Sequence, residues 1–182
     1  KTAAGSALDL SRLLTSSIAT VAVATGYVLL LLGAMLAAGR AITARSALPW
    51  AMAGFLATGV APAFGMAPEL PGAAAAALGA RQLWWIGTAL ATASGIAAVA
   101  LGRRALWVAA GLALIAAPHL IGAPAAPAPA SKVPAEVAAH FASASIAVQA
   151  LIWLLPAMIA GFAIAWLEKR AAPPAGSLSP PR

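Results

Sequence analysis

Five long stretches of this chain contain no charged residue, and they leave it few ways to fold. They are residues 13–39, 46–68, 82–102, 105–131 and 137–167, with lengths of 27, 23, 21, 27 and 31. A helix needs about 20 apolar residues to cross a hydrocarbon core about 30 Å thick, and every stretch is long enough. In lipid, only helices and closed barrels satisfy each backbone N–H and C=O. Barrel strands would alternate in polarity, and these runs do not. The pattern predicts an all-α, polytopic transmembrane helix bundle with five spans, at about 13–39, 47–63, 82–101, 105–120 and 137–167. Composition agrees: 63% of residues are apolar, 8% are charged, and mean hydropathy is +0.94. So few charges cannot cover the surface of a soluble domain. So much apolar side chain excludes disorder over most of the length.

Along the chain, residues 1–12 read as a polar N-terminal segment, 13–168 as the bundle, and 169–182 as a disordered, Pro-rich cytoplasmic tail. The first helix is too long for a signal peptide. Pro62 and the run from Gly65 to Gly72 should end the second helix. Residues 73–80 read as a helical turn at the interface, and 122–134 as an extended Pro/Ala linker. Pro156 falls in mid-span and should kink the fifth helix. Ala157, Gly161 and Ala165 give that helix a small-residue face for close packing.

The net charge of +7 resembles a nucleic-acid signal, but the basic residues lie singly or in pairs between spans. They read as topology signals, with no nucleic-acid partner. Arg40, Arg45, Arg103, Arg104, Lys169, Arg170 and Arg182 would share one side, and Lys1, Arg12, Arg81 and Lys132 the other. The positive-inside bias sets the first group in the cytoplasm. The first residue is then outside and the last inside, across a cytoplasmic membrane. Trp50, Trp107 and Trp166 fall at cytoplasmic span ends, and Trp84 and Trp85 at the outer end of the third span. Those are the belt positions of interface-anchoring rings.

The spans hold no Asp, Glu, Lys or Arg. Buried ionisable residues mark ion and proton paths, so this argues against a self-sufficient proton-coupled transporter. There is no phosphate-binding G-x-x-x-x-G-K-[ST] loop, no H-E-x-x-H helix and no Ser–His–acid arrangement. With no cysteine, thiolate ligands and nucleophiles are also excluded. No enzyme active site and no resident cofactor are expected.

The reactive side chains collect at the outer face. Glu69 follows the second helix, Arg81 precedes the third, His119 ends the fourth, and Glu136 and His140 begin the fifth. Glu136 and His140 are four apart and share a helix face. Imidazole with carboxylate suits a divalent metal of borderline hardness, such as Co²⁺, Ni²⁺ or Zn²⁺, and Met66 adds a soft sulfur. The same residues have plainer readings. Glu136 suits the positive end of a helix dipole, the histidines suit the interface, and Glu69 with Arg81 can pair to hold a connection. Gln149 is the one long polar side chain deep in a span, and it reads either as interhelical glue or as part of a substrate path.

The run from Ala61 to Gly72, containing Pro68-Glu69-Leu70-Pro71-Gly72, is followed by Ala80-Arg81-Gln82-Leu83-Trp84-Trp85. These blocks resemble the CbtA family of predicted cobalt transporter subunits, as do Ala117–Pro124 and Val133-Pro134-Ala135-Glu136. The resemblance covers about residues 14–168. It implies cobalt uptake, with Co²⁺ as cargo, and a small single-span partner, CbtB, with a histidine-rich terminus. Carried over by position, it marks Glu69, Arg81, Trp84, Trp85 and His119, with Glu136 and His140 beside them. The family usually carries a further helix and an acidic loop ahead of the first span read here. With that helix added, six spans would set both termini inside. A different class of reading stands beside this one: a structural subunit packed in lipid against a larger membrane complex, transporting nothing itself.

Overall fold

Apolar runs without partners for their backbone must become helices, and they do. A computed structural model describes residues 10–70, 73, 75–126 and 133–171. Five helices account for most of them: α1 Leu10–Ala37, α2 Ala44–Gly65, α3 Leu78–Leu101, α4 Ala105–Ile121 and α5 Ala135–Ala171. Four are long and apolar enough to cross a membrane, while α4 is a shorter apolar helix. The expected five helices are present; the expected five full-length spans reduce to four and this shorter one.

The boundaries depart from the sequence reading for local reasons. α2 runs past Pro62 to Gly65, because a single π-helical turn over Leu56–Val60 puts Pro62 near the start of a new α-helical turn, where its missing N–H costs little. Residues 78–80 are not a separate interfacial turn; they begin α3. α5 carries on through Lys169 and Arg170, cations that favour a helix C-terminus. The remaining tail from 172, residues 127–132 of the Pro/Ala linker and residues 1–9 lie outside the described residues.

The chain divides into two units, residues 51–154 and the remainder. In the remainder, α1 ends in a Schellman motif: Gly39 has φ +64°, Arg40 N–H donates to the Met35 carbonyl and Gly39 N–H to that of Leu36. α2 starts in a reciprocal cap. Ser46 N–H donates to Thr43 Oγ1 at 3.1 Å, and Thr43 N–H donates to Ser46 Oγ at 2.9 Å. Gly161 of α5 meets that start directly, since a Cβ there would lie 2.5 Å from Ala44 N. At the end of α5, the Arg170 guanidinium sits 3.8 Å over the Trp166 ring.

In the unit of residues 51–154, α3 and α4 form a tight hairpin. A Cβ on Gly95 would lie 2.6 Å from the Gly111 carbonyl oxygen, and the reverse holds equally. Only glycine at both positions lets the backbones approach so closely. Throughout the chain, the buried hydrophobic side chains are mostly small, including Ala47, Ala51, Ala57, Ala61, Ala89 and Ala157. Large ones such as Ile18, Leu30, Leu90 and Phe162 face outward. That distribution is inverted relative to a water-soluble domain and suits helices whose surroundings are as apolar as their side chains.

Candidate functional site

In the unit of residues 51–154, the polar side chains fall into groups that the helices position differently. The first is the connection from α2 to α3. Glu69 lies in that loop, and Arg81 occupies the first turn of α3. They form an ion pair, Arg81 Nη2 to Glu69 Oε2 at 3.0 Å, with the side chains 29% and 28% exposed. The loop borders a cavity of about 480 Å³. Met66 and Glu69 line one side, Pro124 and Ala125 beyond α4 another, and Ala138, Ala139 and Ala142 of α5 a third.

His119, in the last turn of α4, stands beside the same connection. Its ring meets Phe64 edge-on at 6.4 Å and Trp84 at 6.2 Å between centroids. Trp84 in turn packs onto Gly65, where any Cβ would collide with the indole. Phe64 of α2 and Trp84 of α3 thus flank the exposed imidazole of α4. Trp85, the next residue, is half-buried in α3.

Glu136 and His140 are exposed on the opening turns of α5 and form no ion pair with each other among the described residues. At 3.6 residues per turn they project from roughly the opposite side to Ala138 and Ala142, which face the cavity. Among the described residues, no three of the His, Asp and Glu side chains come together as a ready-made metal cluster. The structure joins Glu69 to Arg81 and His119 to Trp84, and leaves Glu136 and His140 apart.

A second polar group lies in the π-turn of α2. Thr58 Oγ1 donates to the Gly54 carbonyl at 2.9 Å, and Trp153 Nε1 of α5 donates to Thr58 Oγ1 at 2.9 Å. Gln149 Nε2 donates to the Thr58 carbonyl at 3.3 Å. The cause is Pro62, four residues on, which has no N–H to give that carbonyl. Gln149 thus supplies the donor that proline withholds. The Trp153 ring fills the space a side chain at Gly54 would need. Pro156 follows within the unbroken α5 helix.

A third group joins Arg81 and Trp84 to two threonines that the sequence reading does not single out. Arg81, Trp84, Thr88 and Thr92 lie along one face of α3. Arg81 Nε, Trp84 Nε1, Thr88 Oγ1 and Thr92 Oγ1 are all buried without a hydrogen-bond partner among the described residues. The signal was present: polar residues at spacings of three and four in an otherwise apolar span.

The helices and their inverted core define an integral helical membrane protein, with Glu69, Arg81 and His119 at or beside the connection from α2 to α3. The chain belongs to the CbtA family, described as a probable cobalt transporter subunit, whose family model matches residues 2–165. No curated protein and no solved structure matches the chain.

Proposed function

We propose that the chain is the membrane-embedded subunit of a Co²⁺ uptake system, and that the cation first meets it at Glu69. The observation that carries this is the Glu69–Arg81 pair at the border of the 480 Å³ cavity. Arg81 neutralises the carboxylate until a stronger cation arrives. A divalent ion brings two charges where guanidinium brings one, so it competes for the same oxygen atoms. Met66 beside the cavity and His119 beside Trp84 offer the sulfur and nitrogen ligands that a borderline metal accepts. Glu136 and His140, exposed at the start of α5 and turned away from the cavity, offer the ion a looser outlying contact. Few and dispersed ligands suit transport, which requires release as well as capture.

The α2–α3 connection faces outward in this reading, and the end of α5 near Trp166 and Arg170 faces the cytoplasm, following the distribution of basic residues. With no ionisable side chain deep in a span, the chain draws on the membrane potential or on a partner. A small single-span protein with a histidine-rich terminus suits that role. The work is that of a transporter subunit rather than an enzyme.

The test is uptake of labelled Co²⁺ by cells carrying Glu69→Ala at wild-type membrane abundance. A loss of tenfold or more is expected, and uptake at the wild-type rate overturns the assignment. Purification in mild detergent adds a second arm. Recovery with a small histidine-rich protein and cobalt supports the proposal. Stoichiometric recovery within a large, metal-independent assembly would make the chain an accessory subunit.

A further inference from the structure

Hydroxyls inside an apolar helix have a standard refuge, the carbonyl four residues back. This protein uses it repeatedly. Thr15, Thr20, Thr25 and Thr58 all donate to their i−4 carbonyls at 2.8–2.9 Å, and Ser143 does the same. Thr88 and Thr92 do not, although they are the buried polar residues of the core, at 0% and 3% exposure. They stand about 15 and 21 Å along the axis from the start of α3, at 1.5 Å per residue. That is the depth at which an unpaired polar group is least tolerable and most often functional.

They also continue a line. Arg81 and Trp84 precede them on the same face, each with a buried and unpartnered N–H, and Arg81 is the partner of Glu69. Four unsatisfied polar atoms thus run from the proposed entry into the middle of the span. We propose that this face of α3 lines an occluded passage for water and hydrated divalent cations. Its cargo rests on the cobalt-uptake reading above, but the passage itself does not. The hydroxyl oxygens accept from, and donate to, waters of the cation's hydration shell. Being neutral, they do not trap the ion as a buried carboxylate would, and weak, repeated contacts are what conduction needs. In this structure the track is closed around Thr88, so transport requires α3 and its neighbours to part there.

The absence of cysteine makes the test direct. Thr88→Cys and Thr92→Cys are introduced singly into the full chain in membranes and exposed to a charged, water-soluble thiol reagent. Leu90→Cys, on the outward face of α3, is the control. Labelling at 88 or 92 at least tenfold faster than at 90, slowed by Co²⁺, is expected. Labelling no faster than at 90 overturns the passage. Co²⁺ uptake is then compared at equal abundance for Thr88→Val/Thr92→Val and Thr88→Ser/Thr92→Ser. The valine pair should lose uptake tenfold or more and the serine pair should stay within twofold. Wild-type uptake by the valine pair overturns the proposal. Fast labelling of Thr88→Cys or Thr92→Cys, together with no Co²⁺ uptake by the wild-type chain, supports the passage and removes cobalt as its cargo.

Discussion

Two polar regions in residues 51–154 treat the same problem in opposite ways. Around Thr58 the polar groups pair with one another: Trp153 donates to the hydroxyl, the hydroxyl to the Gly54 carbonyl, and Gln149 to the carbonyl that Pro62 leaves bare. Along α3, four buried polar atoms are left open. A closed polar cluster in lipid fixes how helices pack, because each member is worth more paired than alone. An open one gives up stability, and it persists where something outside the chain completes it. Mere polarity in a span is therefore a poor guide to function; what separates the two regions is whether the hydrogen bonds are finished.

The comparison breaks most visibly at Trp153. It is nearly buried, its ring takes the space above Gly54, and its N–H closes the Thr58 hydroxyl. Trp153→Ala should cost about 3–5 kcal/mol, the range for an aromatic ring removed from a packed site, seen as a large fall in the melting temperature in detergent. Gln149→Leu is milder. It keeps the volume and strands the Thr58 carbonyl, for a loss of about 0.6–1.7 kcal/mol, the range for interhelical hydrogen bonds in lipid. A Gln149→Leu chain as stable as wild type would mean that the π-turn satisfies its own carbonyl.

On the open side the sign should reverse. Thr88→Val replaces an unpaired hydroxyl with a methyl of the same shape, so it removes a desolvation penalty. Stability should hold or rise by up to about 1 kcal/mol. A fall of that size in the same melting experiment would mean that the hydroxyl has a partner in the membrane. A residue whose loss stabilises the fold while stopping transport is marked as functional in a way that no loss-of-stability variant is.

Spacing between charges made the helices legible, because the bilayer sets a minimum apolar length for a span. What it hid were the ends. Pro62 looks like a stop until a π-turn resets the register, and the start of α3 at Leu78 follows a run of small apolar residues with no capping side chain to mark it. Glu69, Arg81 and His119 were legible as chemistry, and Glu69 and Arg81 also as a pair, since one short connection joins them. The contacts of His119 with Phe64 and Trp84 were not, because they depend on how three helices pack. Gln149 announced itself as a buried amide, yet its partner lies 91 residues away. Thr88 and Thr92 were overlooked because threonine is common in helices. Only burial together with a missing i−4 bond separates these two from Thr15 or Thr25.

The smallest effect on stability should come from the ion pair itself. Glu69 and Arg81 are partly exposed, at a connection where water screens them. A double-mutant cycle with Glu69→Gln and Arg81→Gln should give a coupling of about 1 kcal/mol or less, shrinking further with added salt. The two single variants should nonetheless differ sharply in function. Glu69→Gln removes the charge that attracts a cation, so uptake should fall. Arg81→Gln removes the competitor and leaves the carboxylate bare, so binding should tighten and release should slow. Uptake would then saturate at a lower Co²⁺ concentration with a reduced maximum rate. If both variants instead lowered the maximum rate equally with no change in half-saturation, the pair would be a strut for the connection. The α2–α3 end would then join the Thr58 cluster as a finished contact, leaving the α3 face open among the described residues.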